Sequence, residues 1–279
     1  MKVFRSIIIV SFLLLGIVVR GQEKISIGNA YTLHSQILNQ ERDYMVYLPE
    51  DYGKDSTKQY QVIYLLDAES FYLPVVGMVK GFSKMKDKAD ESTIVVGIIS
   101  ENRTKDFTPV ASNCGRNGIA NKEEPMAGGG AEMFYRFIEE ELKPTIEKAY
   151  RTNTTDILMG HSYSGLFALY TMFYHTESFV KVIAIDPSLW WDCGTILDEI
   201  MLRVNDGDYV DKYLYLGFST KKRYDRNDDI IGDLKQQLCE DILPKAIKLN
   251  YDYKNYPEEN HGTVAIPGFY DGLKHIFGK

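Results

Sequence analysis

The chain has 279 residues, 44% of them hydrophobic and 25% charged, and a formal net charge of −7. That length and composition suit a folded chain with a large core, and no repeat, low-complexity tract or Pro/Ser/Gly-rich linker divides it. An acidic chain without a basic stripe repels phosphate backbones and anionic membranes, so nucleic acid is excluded as an expected partner.

In chain order, the first feature is Lys2 and Arg5 ahead of the apolar run Ile7 to Val19, with Val19-Arg20-Gly21 before Gln22. This is the layout of a secretory signal peptide, so residues 1–21 are predicted to be removed and residues 22–279 to form a single domain, exported to the periplasm or secreted. The run is shorter than the ~20 apolar residues of a spanning helix, so no stable membrane insertion is expected after cleavage. Removal of Lys2, Arg5 and Arg20 takes no acid with it and leaves a still more acidic protein. Three cysteines, Cys114, Cys193 and Cys239, lack any CxxC pairing, so no metal site is expected. Export permits one disulfide among them and leaves one thiol unpaired within the monomer.

Apolar, β-branched runs follow at Tyr44 to Leu48, Val62 to Leu66, Thr93 to Ile99, Ile157 to Met159, Val180 to Ile185, Tyr213 to Phe218 and Tyr251 to Tyr256. Between them lie helical stripes: Phe134, Phe137, Ile138, Leu142 and Ile146; Leu166, Leu169, Tyr170 and Phe173; and the segment Ile230 to Leu249. Alternation of this kind predicts an α/β fold, a mostly parallel central sheet with helices on both faces. In such sheets active groups collect in loops at the carboxyl ends of the strands.

Gly160-His161-Ser162-Tyr163-Ser164-Gly165 lies where an apolar strand run meets a helical stripe, the setting of a nucleophile elbow. Ser162 is the candidate nucleophile, although Ser164 stands where G-x-S-x-G has its second glycine. A serine hydroxyl needs a base. Of the five histidines, His34 precedes the central sheet, His161 belongs to the elbow and is expected to point elsewhere, and His175 and His275 sit near helix ends. His261, after the last strand, is the candidate base, in keeping with the serine, acid, histidine order of such hydrolases. The orienting acid stays open. Asp225 is the first choice, in a loop it shares with Asp228, Asp229 and several cations, while Asp192, Glu258 and Glu259 compete and a dyad without an acid is an alternative. The oxyanion donors are expected to be the N–H of Tyr163 and one from the loop after Leu66, Ala68 or Glu69. Trp190 and Trp191 are candidates for a substrate wall, or for core.

Together these residues resemble the putative esterase family of the α/β-hydrolase superfamily, the group that includes enterochelin esterases and esterase D. The likeness runs through Arg42 to Pro49 with Tyr52, Tyr64-Leu65-Leu66-Asp67, Arg103, Asp106, Thr108 and Pro109, Gly128-Gly129 ahead of Phe134 to Leu142, the elbow, Pro187 to Asp192, and His261-Gly262. The resemblance implies an α/β-hydrolase fold and a serine hydrolase of carboxylic esters, with Ser162 and His261 in the catalytic roles and no cofactor. A siderophore ester or an acylated sugar is the expected substrate, with specificity set by Thr108 to Met126 and the region near Trp190. The alternatives are an acyltransferase of the same fold and a non-catalytic siderophore- or glycan-binding protein.

Overall fold

The computed structural model describes residues 26–84, 93–220 and 229–277. The predicted signal peptide and the loop carrying Asp225 and Asp228 lie outside them.

In chain order the elements are β1 (Asn29–Ser35), β2 (Gln40–Tyr47), β3 (Tyr60–Leu65), α1 (Ala68–Phe82), β4 (Thr93–Ile98), α2 (Arg103–Phe107), and the short strands β5 (Ala111–Ser112) and β6 (Ala127–Gly128). Then come α3 (Ala131–Phe137), α4 (Lys143–Ala149), β7 (Thr152–His161), α5 (Tyr163–Tyr174), β8 (Lys181–Ile185) and α6 (Thr195–Arg203). The chain continues with β9 (Tyr213–Ser219), α7 (Asp229–Gln236), β10 (Asn250–Tyr256) and α8 (Ala265–Phe277). Eight strands form one sheet in the order β1-β2-β4-β3-β7-β8-β9-β10, antiparallel at the β1 and β2 end and parallel from β4 onward. This is the mostly parallel sheet with helices on both faces that the strand and helix alternation predicts.

The central strands read as unbroken apolar runs because both faces are covered. Their two-residue period divides the core in two. Val62, Tyr64, Leu158, Val182 and Leu216 face one side with α3, α5 and α6, while Ile63, Leu65, Met159, Ile183 and Tyr215 face the other with α1 and α8. The edge strands are different. β1 (NAYTLHS) is largely exposed, and its weak apolar content explains why the sequence does not announce it. β7 is ten residues long rather than the three of its apolar run, because its first half, Thr152 to Asp156, is polar and only partly covered. The Ile230 to Leu249 stripe is interrupted: α7 passes through a π-helical turn, Gln237–Ile242, and ends at a 3₁₀ turn holding Pro244, which cannot continue the hydrogen-bond ladder.

Strands β3, β7, β8 and β9 are neighbours, so their carboxyl ends bring Asp67, Ser162, Asp186 and Ser219 side by side. The turn between β10 and α8 supplies His261 beside them.

Candidate active site

Three non-glycine residues at the ends of adjacent strands sit in the left-handed region: Asp67 (φ 53°), Ser162 (φ 65°) and Asp186 (φ 43°). Such backbone costs on the order of 1–3 kcal/mol per residue and persists only where surroundings over-determine it. At Ser162 the determinants are visible. Its N–H donates to Ile185 O at 3.0 Å, and its carbonyl accepts from Leu166 N at 2.9 Å and Ser188 N at 3.1 Å. Gly160 is required here, because a Cβ at that position would stand 2.3 Å from Ser164 O. Gly165 lets α5 close on β8, where a Cβ would meet Ile185 O at 3.0 Å. The elbow forms as its sequence implies, with the side chain of Ser162 at the head of α5.

Ser162 Oγ lies 2.9 Å from His261 Nε2 and 3.3 Å from Ser188 Oγ. His261 Nδ1 lies 2.7 Å from Asp186 Oδ2. A carboxylate can only accept, so Nδ1 carries the hydrogen and Nε2 is left to accept from Ser162. Ser162 and Asp186 are buried, while the His261 side chain is 31% exposed, open to a substrate from one side. The carboxylate that meets His261 is therefore Asp186, directly after β8, a residue the sequence reading passed over. Asp225 and Asp228 fall outside the described residues, and the side chain of Asp229 is not among those described. Asp192 accepts from Thr195 Oγ1 at 2.7 Å at the start of α6. Asp186 was missed because the order serine, acid, histidine admits any acid between residues 162 and 261, and Asp-Pro after a strand reads first as a turn.

Four donors converge on the Asp186 carboxylate. Oδ1 accepts from Ser219 N at 3.1 Å and Lys235 Nζ at 2.9 Å; Oδ2 accepts from Ser219 Oγ at 2.5 Å and from His261. Burial alone would raise its pKa, but the His261 and Ser219 hydrogen bonds and the Lys235 charge outweigh that and hold the carboxyl well below the usual carboxylate range.

A second buried carboxylate, Asp67, stands on the other side of the elbow. Arg103 grips it with two hydrogen bonds, Nε to Oδ1 at 2.6 Å and Nη2 to Oδ2 at 2.8 Å. Ser164 Oγ donates to Asp67 Oδ2 at 2.7 Å and accepts from His161 N at 2.8 Å. The hydroxyl that breaks the glycine pattern thus ties the elbow to the end of β3. His161, expected to point elsewhere, turns into the site: its Nε2 donates to His261 O at 2.8 Å, and the two rings lie 4.8 Å apart. Burial, aided by neighbouring His261, lowers its pKa to about 4, so it is a neutral support.

Ala68 and Tyr163 are the first residues of α1 and α5 on adjacent strands. N–H groups in a first helical turn have no acceptor within their own helix. Beyond Tyr163 opens a cavity of about 670 Å³, lined among others by Arg116, Asn117, Asn121, Trp190 and Trp191. Both tryptophans are buried in the core and also face the cavity. Trp191 Nε1 donates to Val110 O at 2.8 Å, and the Arg116 guanidinium lies 5.3 Å from the Trp190 ring centroid. The Cys114–Cys193 disulfide ties the segment between β5 and β6 to the turn after Trp191, and Cys239 is free and buried. No helix among the described residues is long and apolar enough to cross a membrane.

Residues 35–238 match the model of the family described as "Putative esterase". Among curated proteins, the siderophore enterobactin esterase of Emericella nidulans is 25% identical over 80% of this chain and 84% of its own. The ferri-bacillibactin esterase BesA of Bacillus subtilis is 34% identical over 58% of this chain and 59% of its own. Among solved structures, an IroE-like serine hydrolase from Shewanella oneidensis superposes with a TM-score of 0.80 at 31% identity, covering 90% of this chain and 80% of that one.

Proposed function

The chain belongs to the putative esterase family of α/β-hydrolases, a carboxylic-ester hydrolase of the serine type, and from that premise we propose that it cleaves siderophore esters through an acyl-enzyme on Ser162. The observation that carries this reading is the unbroken chain Ser162 Oγ, His261 Nε2, His261 Nδ1, Asp186 Oδ2.

His261 takes the Ser162 proton as Oγ attacks the ester carbonyl, and Asp186 stabilises the imidazolium that results. The N–H groups of Tyr163 and Ala68 face the developing oxyanion. Collapse of the tetrahedral intermediate breaks the ester C–O bond, and His261 returns the proton to the leaving alcohol. Water then attacks the acyl-enzyme with His261 as base, releasing the acid and restoring the Ser162 hydroxyl. Residues 22–279 act as one domain, exported after loss of residues 1–21.

The substrate class is supported by the activities of the relatives and by the cavity. Arg116 beside Trp190, and Arg103 at 5.8 Å from the Tyr163 ring centroid, put cations and aromatic faces next to the nucleophile of an otherwise acidic chain. Aromatic, anionic acyl arms fit that lining. Labelling with a fluorophosphonate probe tests the chemistry: the wild type is expected to react and to hydrolyse aryl esters, while Ser162→Ala and His261→Ala do neither. A wild type that stays unlabelled and inert overturns the reading.

A further inference from the structure

The catalytic carboxylate has a cation of its own. Lys235, on α7, reaches Asp186 Oδ1 at 2.9 Å and Ser219 O at 2.9 Å, with its Nζ 5.3 Å from the Phe218 ring centroid. Its side chain is 16% exposed. An ion pair so placed shares the charge that would otherwise act wholly on the imidazole across the same carboxylate. We propose that Lys235 is a positioning residue that weakens the field of Asp186 on the imidazolium of His261, so that the base stays free to accept a proton at lower pH. The inference rests on the reading of Ser162, His261 and Asp186 as the reacting set.

The argument is Coulombic and geometric. Oδ1 and Oδ2 belong to one carboxylate, so Lys235 Nζ and His261 Nδ1 are held on its two oxygens at 2.9 and 2.7 Å. Their separation therefore stays within the Debye length of about 8 Å at physiological salt, and the carboxylate between them is buried. The cation opposes protonation of the ring that the carboxylate favours. The other groups facing the pair do not duplicate this charge. Ser219 donates neutral hydrogen bonds. His161 is neutral at pH values well above 4. The Cys239 thiol, one turn along from Lys235, is pushed up to about 12 by burial and stays protonated. Arg103 is paired with Asp67 on the far side of the elbow. Glu258 and Glu259 precede His261 on its own loop, outside the Asp186 hydrogen-bond set.

Lys235 also has a mechanical part. By bonding both Asp186 and the carbonyl of Ser219, it fastens the end of β8 to the end of β9, which fixes the carboxylate plane that His261 reads. Charge and anchoring predict different outcomes, which makes the two separable.

The test is the pH profile of kcat/KM with an uncharged aryl ester, together with the pH dependence of the fluorophosphonate labelling rate. Lys235→Gln is expected to move the acid limb of both profiles upward by about half to one pH unit, the size of a single charge acting through a partly screened site. Lys235→Arg keeps the charge and should leave the limb in place even if the rate falls. Lys235→Met, unbranched and apolar along the same channel, replaces the Gln variant if that fails to fold. A limb that stays put in a folded, uncharged variant, or one that moves as far in Lys235→Arg, overturns the proposal. If the wild type is not labelled at all, the failure lies in the assignment of the reacting set instead.

Discussion

Two buried carboxylates flank the nucleophile strand, and their surroundings are closely matched. Asp67 lies two residues beyond β3 and Asp186 is the first residue beyond β8; both are left-handed, and both are paired with a cation, Arg103 in one case and Lys235 in the other. They differ in the neutral partner. Asp186 meets an imidazole whose other nitrogen reaches Ser162, whereas Asp67 meets a hydroxyl, Ser164, whose remaining bonds go to the backbone of the elbow. Burial and ion pairing therefore do not mark a catalytic acid. What marks it is a partner that can carry a proton onward.

The sharpest way to break this comparison is to make the same substitution on both sides. Asparagine tolerates left-handed backbone, so Asp→Asn leaves each turn intact and removes the charge together with one acceptor oxygen. Asp186→Asn is expected to lower kcat on an aryl ester by about 10⁴-fold, because the imidazole loses its tautomer lock and its counter-charge. Asp67→Asn should act mainly on stability, costing about 3 kcal/mol in urea unfolding, near the lower bound for a broken buried pair because Arg103 is 39% exposed. If Asp67→Asn matched Asp186→Asn in kcat at unchanged stability, the two carboxylates would share the chemistry and the division drawn between them would be wrong.

The same contrast explains how far the residues could be read without coordinates. The parallel sheet was legible because its central strands, such as Thr93–Ile98, are buried on both faces and so read as apolar runs. Ser162 and His261, which lie 2.9 Å apart, were legible as candidates, the one because an elbow needs small residues at fixed offsets, the other because it follows the last strand. Asp186 and Lys235 were not, since each acts through a partner at least 49 residues away and neither carries a local pattern, while Arg103 was legible as a motif residue but not as the partner of Asp67, 36 residues before it. β1 and α1 escaped for another reason: an exposed edge strand and a helix holding Pro74 and two glycines, Gly77 and Gly81, give weak periodic signals.

His161 touches both sides of the comparison, its backbone N–H on Ser164 and its ring on His261, and it offers a smaller, pH-dependent effect. Its pKa falls from the ordinary 6.5 to about 4, chiefly by burial. A histidine lowered on folding binds fewer protons folded than unfolded between those values, so the stability it contributes is full above pH 6.5 and is lost as pH falls toward 4. The wild type should lose about 2 kcal/mol in urea unfolding across that window. His161→Gln keeps a donor for His261 O without titrating, and should flatten the slope. An unchanged slope would mean that the ring is already protonated when folded, and that its hydrogen bond is ionic.

The smallest effect tests the Ser164 departure itself. Ser164→Ala removes the hydrogen bond to Asp67 and the one accepted from His161 N, while Arg103 still covers both carboxylate oxygens, so the expected loss is about 1.5 kcal/mol with fluorophosphonate labelling retained. Ser164→Gly restores the G-x-S-x-G pattern yet should be worse than alanine by a further ~1 kcal/mol, because the position lies in the first turn of α5 and glycine is the poorer helix former. A glycine variant as stable as the wild type would show that the elbow closes without the β3 tie. The Asp67 cluster would then be a pair with Arg103 alone, and its likeness to the Asp186 cluster would end at the cation.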